Sequence, residues 1–99
     1  MKISEAQIFV KDFINKYNIK KSPLASLAGI MEELSELASI ILIKEGFKKG
    51  HIKSIGYMLA EILFELLELA EDYDINLEEE FRNAIEIWKG QEPKWIGKE

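Results

Sequence analysis

No stretch of this 99-residue chain alternates polar and apolar residues; apolar side chains return every three or four positions instead. A period near 3.6 lets one face of a helix be buried, whereas a half-buried strand needs a period of two. The chain can hide its apolar residues only by packing helix on helix, so the reading is all-α. Four segments carry the pattern. The first spans about Ser4 to Tyr17, with Ala6, Phe9, Val10, Phe13 and Tyr17 as its stripe and Ser4 with Gln7 as a capping box. The second opens at Ser22, has Pro23 where a missing N–H costs nothing, and runs to about Glu45 before Gly46. The third starts between Ile52 and Ser54 and ends near Tyr73. The fourth is capped by Asn76, with Glu79 three residues on, and runs to Lys89 before Gly90. Residues 1–90 then form a single domain, a four-helix bundle whose short connections make neighbours antiparallel. Residues 91–99, with Pro93 and Trp95, read as an irregular C-terminal tail.

Charge narrows the function. Thirteen basic residues against eighteen acidic ones leave a net charge of −5. A nucleic-acid binder needs a basic face for the phosphates, so that partner is not expected. Cysteine is absent, which excludes disulfides and thiolate metal sites and suits a reducing compartment. The start of the chain lacks the layout of a signal peptide, and no apolar run approaches the ~20 residues of a membrane span. The expectation is a cytoplasmic protein with no membrane partner.

The acidic residues are placed with more order than the basic ones. Glu33 and Glu36 lie three positions apart on one face of the second helix, with Glu32 beside them. Their line runs on through Ile40 and Ile43 into the segment Leu37 to Ile43, which is apolar on nearly every side and therefore reads as buried all round. The third helix carries Glu61, Glu65, Glu68 and Asp72 as a narrow stripe on an otherwise apolar surface. Such stripes are ordinarily solvated faces. The functional alternative is that two helices bring carboxylates together, where like charges repel unless a cation lies between them. Oxygen donors suit a hard ion such as magnesium or manganese. Lys44, Lys48, Lys49, His51 and Lys53 surround the loop between the two helices. They read as a solvated loop or as cations for phosphate oxygens.

The segment from Ser22 to Ala38, with Glu32-Glu33-Leu34-Ser35-Glu36 at its centre, resembles the MazG-like all-α nucleoside triphosphate pyrophosphohydrolases. Their first motif is E-E-x-x-E. Their second, E-x-x-D on the next long helix, is similar to the stretch from Leu59 through Glu61 to Glu80, and the likeness spans about Ser22 to Phe81. The resemblance implies a magnesium-dependent enzyme, with manganese as a possible substitute, that cleaves a nucleoside triphosphate to the monophosphate and pyrophosphate. It implies metal ligands at Glu33, Glu36 and Glu61 and catalytic roles for Glu32 and Glu36, while the candidate phosphate contacts, Lys49 and Lys53, come from the basic loop and not from the resemblance. Glu61 stands where the family has Asp. Met58 stands where the family has Glu, and a thioether is a poor ligand for magnesium. Glu65 or Glu32 is then the compensating donor, or a water fills the gap, or the chain is a helical binding or assembly module that has lost the activity.

A last expectation concerns assembly. Helices two and three are apolar over more than one stripe, and helix one adds Ile8, Phe9, Val10, Phe13 and Ile14. Four short helices cannot hide all of that from water, so a homodimer or a dimer-based oligomer is expected. MazG-like proteins are similar in pairing their bundles.

Overall fold

The structure, a computed structural model, describes residues 1–90 as α1 (Ile3–Tyr17), α2 (Pro23–Lys44), α3 (Ile55–Asp72) and α4 (Leu77–Gly90), with no strand among the described residues. The 91–99 tail lies outside the described residues. The fold is all-α, as the periodicity requires. Ser22 caps α2, its Oγ accepting from the Ala25 N–H at 3.2 Å, with Pro23 next in line. Gly46 follows the end of α2 with φ +86°, a conformation that costs a glycine little. Ser54 caps α3 by accepting from the Tyr57 N–H, and the Asn76 side chain does the same for the Glu79 N–H.

The start of α1 departs from the expectation. Lys2 is the N-cap, and its N–H donates to the Glu5 carboxylate at 2.8 Å. Ser4 and Gln7 are spent elsewhere. The Ser4 N–H and hydroxyl both donate to Glu78 on α4. Gln7 is buried: its Nε2 donates to Glu71 and to the Ile75 carbonyl, and its Oε1 accepts from the Leu77 N–H. Those backbone groups belong to the α3–α4 turn, and a buried peptide group left unpaired costs more than a missing helix cap.

α2 and α3 pack antiparallel, so Gly29 near the start of α2 meets Glu65 late in α3, while Leu37 and Ile40 meet Met58 and Ile62. Burying each of these apolar side chains contributes about 2 kcal/mol. α1 packs on α3 through Val10, Ile14 and Leu67, and α4 packs chiefly on α1. α3 is thus the central element, with α2 on one flank and α1 on the other.

The expectation that Leu37 to Ile43 is buried all round does not hold within one chain. Leu37 and Ile40 are buried, but Ile41 and Leu42 are exposed. Only α3 covers α2 closely, so α2 has one covered stripe and an open apolar back. α4 contains no buried residue, and Phe81 and Trp88, 6.4 Å apart edge to face, lie on its surface.

Candidate functional site

Glu33 projects from α2 about three turns from its start, Glu61 and Glu65 from successive turns of α3. All three line an open cleft of about 430 Å³ whose other walls are Phe13, Tyr57, Ala60 and Phe64. One side of the cleft is therefore acidic and the other aromatic. Phe13 meets Phe64 edge to face at 5.8 Å, which fixes the α1 wall against α3.

The electrostatics follow from this crowding. Partial burial, and then the charges of Glu61, Glu65, Glu36 and Glu32, push the Glu33 carboxyl above the usual carboxylate range. Lys21, in the α1–α2 connection, reaches the far end of the acidic stripe. Its ammonium is 3.1 Å from Glu65 Oε1 and 3.8 Å from Glu68 Oε1. Burial pulls the Lys21 ammonium down, yet Glu65, Glu68 and Glu33 outweigh it and hold it above its ordinary value. Glu68 is 3% exposed. Burial raises its carboxyl, Lys21 partly offsets that, and Asp72 and Glu65 raise it further.

The other expected residues fall around this cleft unevenly. Glu36 is exposed and its carboxylate is held by the Lys53 ammonium, whose affinity for its proton Glu36 raises. Glu32 is exposed, and so are Lys49 and His51 in the α2–α3 connection. Lys48 donates to Ser39 at 2.6 Å. Met58 is 3% exposed and packs on Leu37, Ile40 and Ile62. The structure therefore brings Glu33, Glu61 and Glu65 to one cleft and leaves Glu36 on its outer flank. Among the described residues no three acidic or histidine side chains, as placed, enclose a position for a metal ion. Lys53 draws Glu36 outward and Lys21 draws one oxygen of Glu65 away, while mutual repulsion acts on the rest.

Sequence reasoning treated Lys21 as a connector residue and so missed its place in the stripe. The one available signal was the pair Lys20-Lys21 directly before the Ser22 cap, which puts a cation at the mouth of the antiparallel pair.

Neither a scan against family models nor a search of curated proteins found a match. Among solved structures, the crystal structure of the putative pyrophosphatase YPJD from Bacillus subtilis is similar, with 31% identity and a TM-score of 0.80, over 89% of this chain and 93% of that one. The chain belongs to the YPJD family. The shared fold is the all-α arrangement described above, and the family association supports a pyrophosphatase-type hydrolase. No helix of the described residues is long and apolar enough to cross a membrane.

Proposed function

We propose that the protein hydrolyses a nucleoside triphosphate to the monophosphate and pyrophosphate at the cleft between α2 and α3. The observation that carries this reading is the convergence of Glu33 and Glu61 from two helices onto one cleft, in a chain related to a pyrophosphatase over nearly its full length. The donors suit a hard divalent cation: they are carboxylate oxygens, their charges oppose one another, and Glu65 Oε2 is buried without a hydrogen-bond partner. Glu33 and Glu61 are the residues that would hold it. Magnesium, or manganese in its place, when bound supplies charge neutralisation at the phosphates and acidifies water. Glu36 and Glu32, exposed on the outer flank, would take the proton of an attacking water. The Lys53 ammonium pairs with Glu36, and with Lys49 it offers positive charge to phosphate oxygens outside the cleft. Phe13, Tyr57 and Phe64 line the other wall of the open cleft and offer apolar surface beside the carboxylates.

The test is incubation with a panel of nucleoside triphosphates and magnesium or manganese, with release of pyrophosphate as the readout. Activity in the wild type that disappears in Glu33→Gln and Glu61→Gln supports the reading. A chain that releases pyrophosphate from none of the panel favours the second reading, a helical binding or assembly module, to which the burial of Met58 at the family's acidic position lends weight.

The same proposal includes a homodimer. Leu24, Leu27, Met31, Leu34, Ile41 and Leu42 on α2 are all exposed, as are Leu59, Leu63 and Leu66 on α3. An apolar surface of that extent marks an interface, and a two-fold contact between like helices is the commonest way to cover it. Sedimentation equilibrium at micromolar concentration decides it: a species at 11.4 kDa would count against the pairing.

A further inference from the structure

The connection between α2 and α3 is fastened along α2. At Gly46 the chain reverses: its N–H donates to the Ile43 carbonyl at 3.1 Å, and the Phe47 N–H to the Leu42 carbonyl at 2.9 Å. The Lys48 ammonium donates to Ser39 Oγ at 2.6 Å. Gly50 lies against Ile43, where a Cβ at residue 50 would come within 2.7 Å of Ile43 Cδ1. Glu36, Ser39 and Ile43 share one face of α2, three and then four positions apart. At the far end of the connection Ser54 caps α3. The backbone at Lys53 is therefore held from both sides, and a change of partner there is a movement of the side chain.

That side chain rests on Glu36. The two side chains are 61% and 45% exposed, so an ion in solution reaches both, and a pair so exposed contributes little to the fold. The connection is held without it. Glu36 first, and then Glu61 and Glu33 of the cleft, raise the affinity of the Lys53 ammonium for its proton, so the charge stands within reach of the cleft's acids. A point charge on a flexible four-carbon stem can exchange one anion for another. A triphosphate offers it several negative charges, against the one of Glu36.

We propose that Lys53 is a two-position switch, its ammonium resting on Glu36 while the cleft is empty and passing to a phosphate oxygen of an arriving triphosphate, which uncovers Glu36. The proposal rests on the phosphate chemistry proposed above and adds an order to it: the substrate itself exposes the carboxylate that would take the proton of water.

The experiment is a titration of the full chain with inorganic triphosphate, in chelator at low salt. Calorimetry reads the affinity, and nuclear magnetic resonance of the Lys53 side-chain ammonium reads its partner. Circular dichroism melting checks that each variant folds. Lys53→Met should weaken binding roughly tenfold, the loss of one charge-assisted hydrogen bond. Glu36→Gln should strengthen it several-fold, because the ammonium no longer has to be taken from a carboxylate. Glu32→Gln removes an equal charge four positions away without touching the pair, so its gain should be smaller. In a Lys53→Met background the advantage of Glu36→Gln over Glu32→Gln should vanish. The Lys53 resonance should respond to Glu36→Gln in the free protein and not at saturating triphosphate. If the two glutamate variants gain equally, or if the resonance still answers to Glu36→Gln with the ligand in place, Glu36 only repels phosphate and the switch is overturned. If Lys53→Met binds triphosphate like the wild type, the phosphate reading stands on other residues and the switch falls alone. If the wild type binds no triphosphate, the lysines' part in the phosphate reading falls and the switch with it, while hydrolysis is judged separately by pyrophosphate release.

Discussion

The two ends of the acidic face of α3 hold the same kind of side chain in opposite conditions. At the end near Glu68 the chain supplies its own cation. Lys21 lies against Glu65 and Glu68, and a carboxylate that is 3% exposed is tolerated there. At the end near Glu61 the leading charges on Glu33 are all carboxylates, contributed by both helices, and they add to one another. Compensation built into the chain makes a structural pair. Compensation withheld leaves a place where a charge from outside is favoured. The difference is where the lysines reach, Lys21 lying against Glu65 and Glu68 while Lys53 pairs with the outer Glu36, and the arrangement of the acids alone would not show it.

The comparison can be broken or sharpened by moving charge between the ends. The largest effect is expected from Met58→Glu, which puts a carboxylate among Leu37, Ile40 and Ile62. Urea unfolding in chelator should show a loss of about 3 kcal/mol, and magnesium should restore part of it by binding the folded state alone. A variant whose stability is indifferent to magnesium would show that position 58 does not face the cleft's charges. Next comes Lys21→Met, with a loss of about 2 kcal/mol, below the figure for a fully buried pair because the lysine is partly exposed. The Glu68 carboxyl is already raised above its ordinary 4.5, and losing Lys21 raises it further. A raised folded-state value means the penalty grows as pH rises through and above 4.5. The variant should therefore match the wild type in acid and fall behind at neutral pH. Equal losses at both ends of that range would mean that the lysine acts by packing.

Glu33→Gln should do the reverse at smaller scale. Removing one of several like charges should gain about 0.5 kcal/mol in chelator at neutral pH, a gain that fades below about 4.5 because the wild-type carboxyl is then protonated in both states. The smallest effect belongs to Glu78→Gln, remote from both ends. The Ser4 N–H, above all, holds the Glu78 carboxyl below its usual value. A depressed folded-state value contributes stability above 4.5 that is lost as pH falls, so the variant should flatten the acid side of the melting profile slightly and leave manganese binding alone.

Periodicity and caps located the helices to within a residue or two, because Ser22, Gly46, Ser54 and Asn76 act locally on the backbone that follows or precedes them. Ser4 and Gln7 misled because their partners, Glu78 and the α3–α4 turn, are about seventy positions away. Of the site, Glu33 and Glu61 could be read from spacing and resemblance, but the outward turn of Glu36 could not. It depends on where Lys53 lands when the α2–α3 connection closes, which no helical period encodes. The close approach of Glu65 to Gly29 was equally hidden. A glycine in a helical pattern looks like a weak point until the opposing carboxylate is in view.

The Gln7 amide has a consequence for the order in which the molecule assembles and comes apart. α2 and α3 are joined by a short connection and can pair early, since little chain must be closed to do so. α1 docks by finding a turn 64 to 70 residues away, and one side chain there satisfies a carboxylate, a carbonyl and an amide together. Because α4 rests chiefly on α1, the two helices share that fastening. Their amides should exchange with solvent hydrogen as a single unit, opening while the α2–α3 hairpin stays closed. The cleft's aromatic wall includes Phe13 of α1, so each such opening would also remove one side of the candidate site.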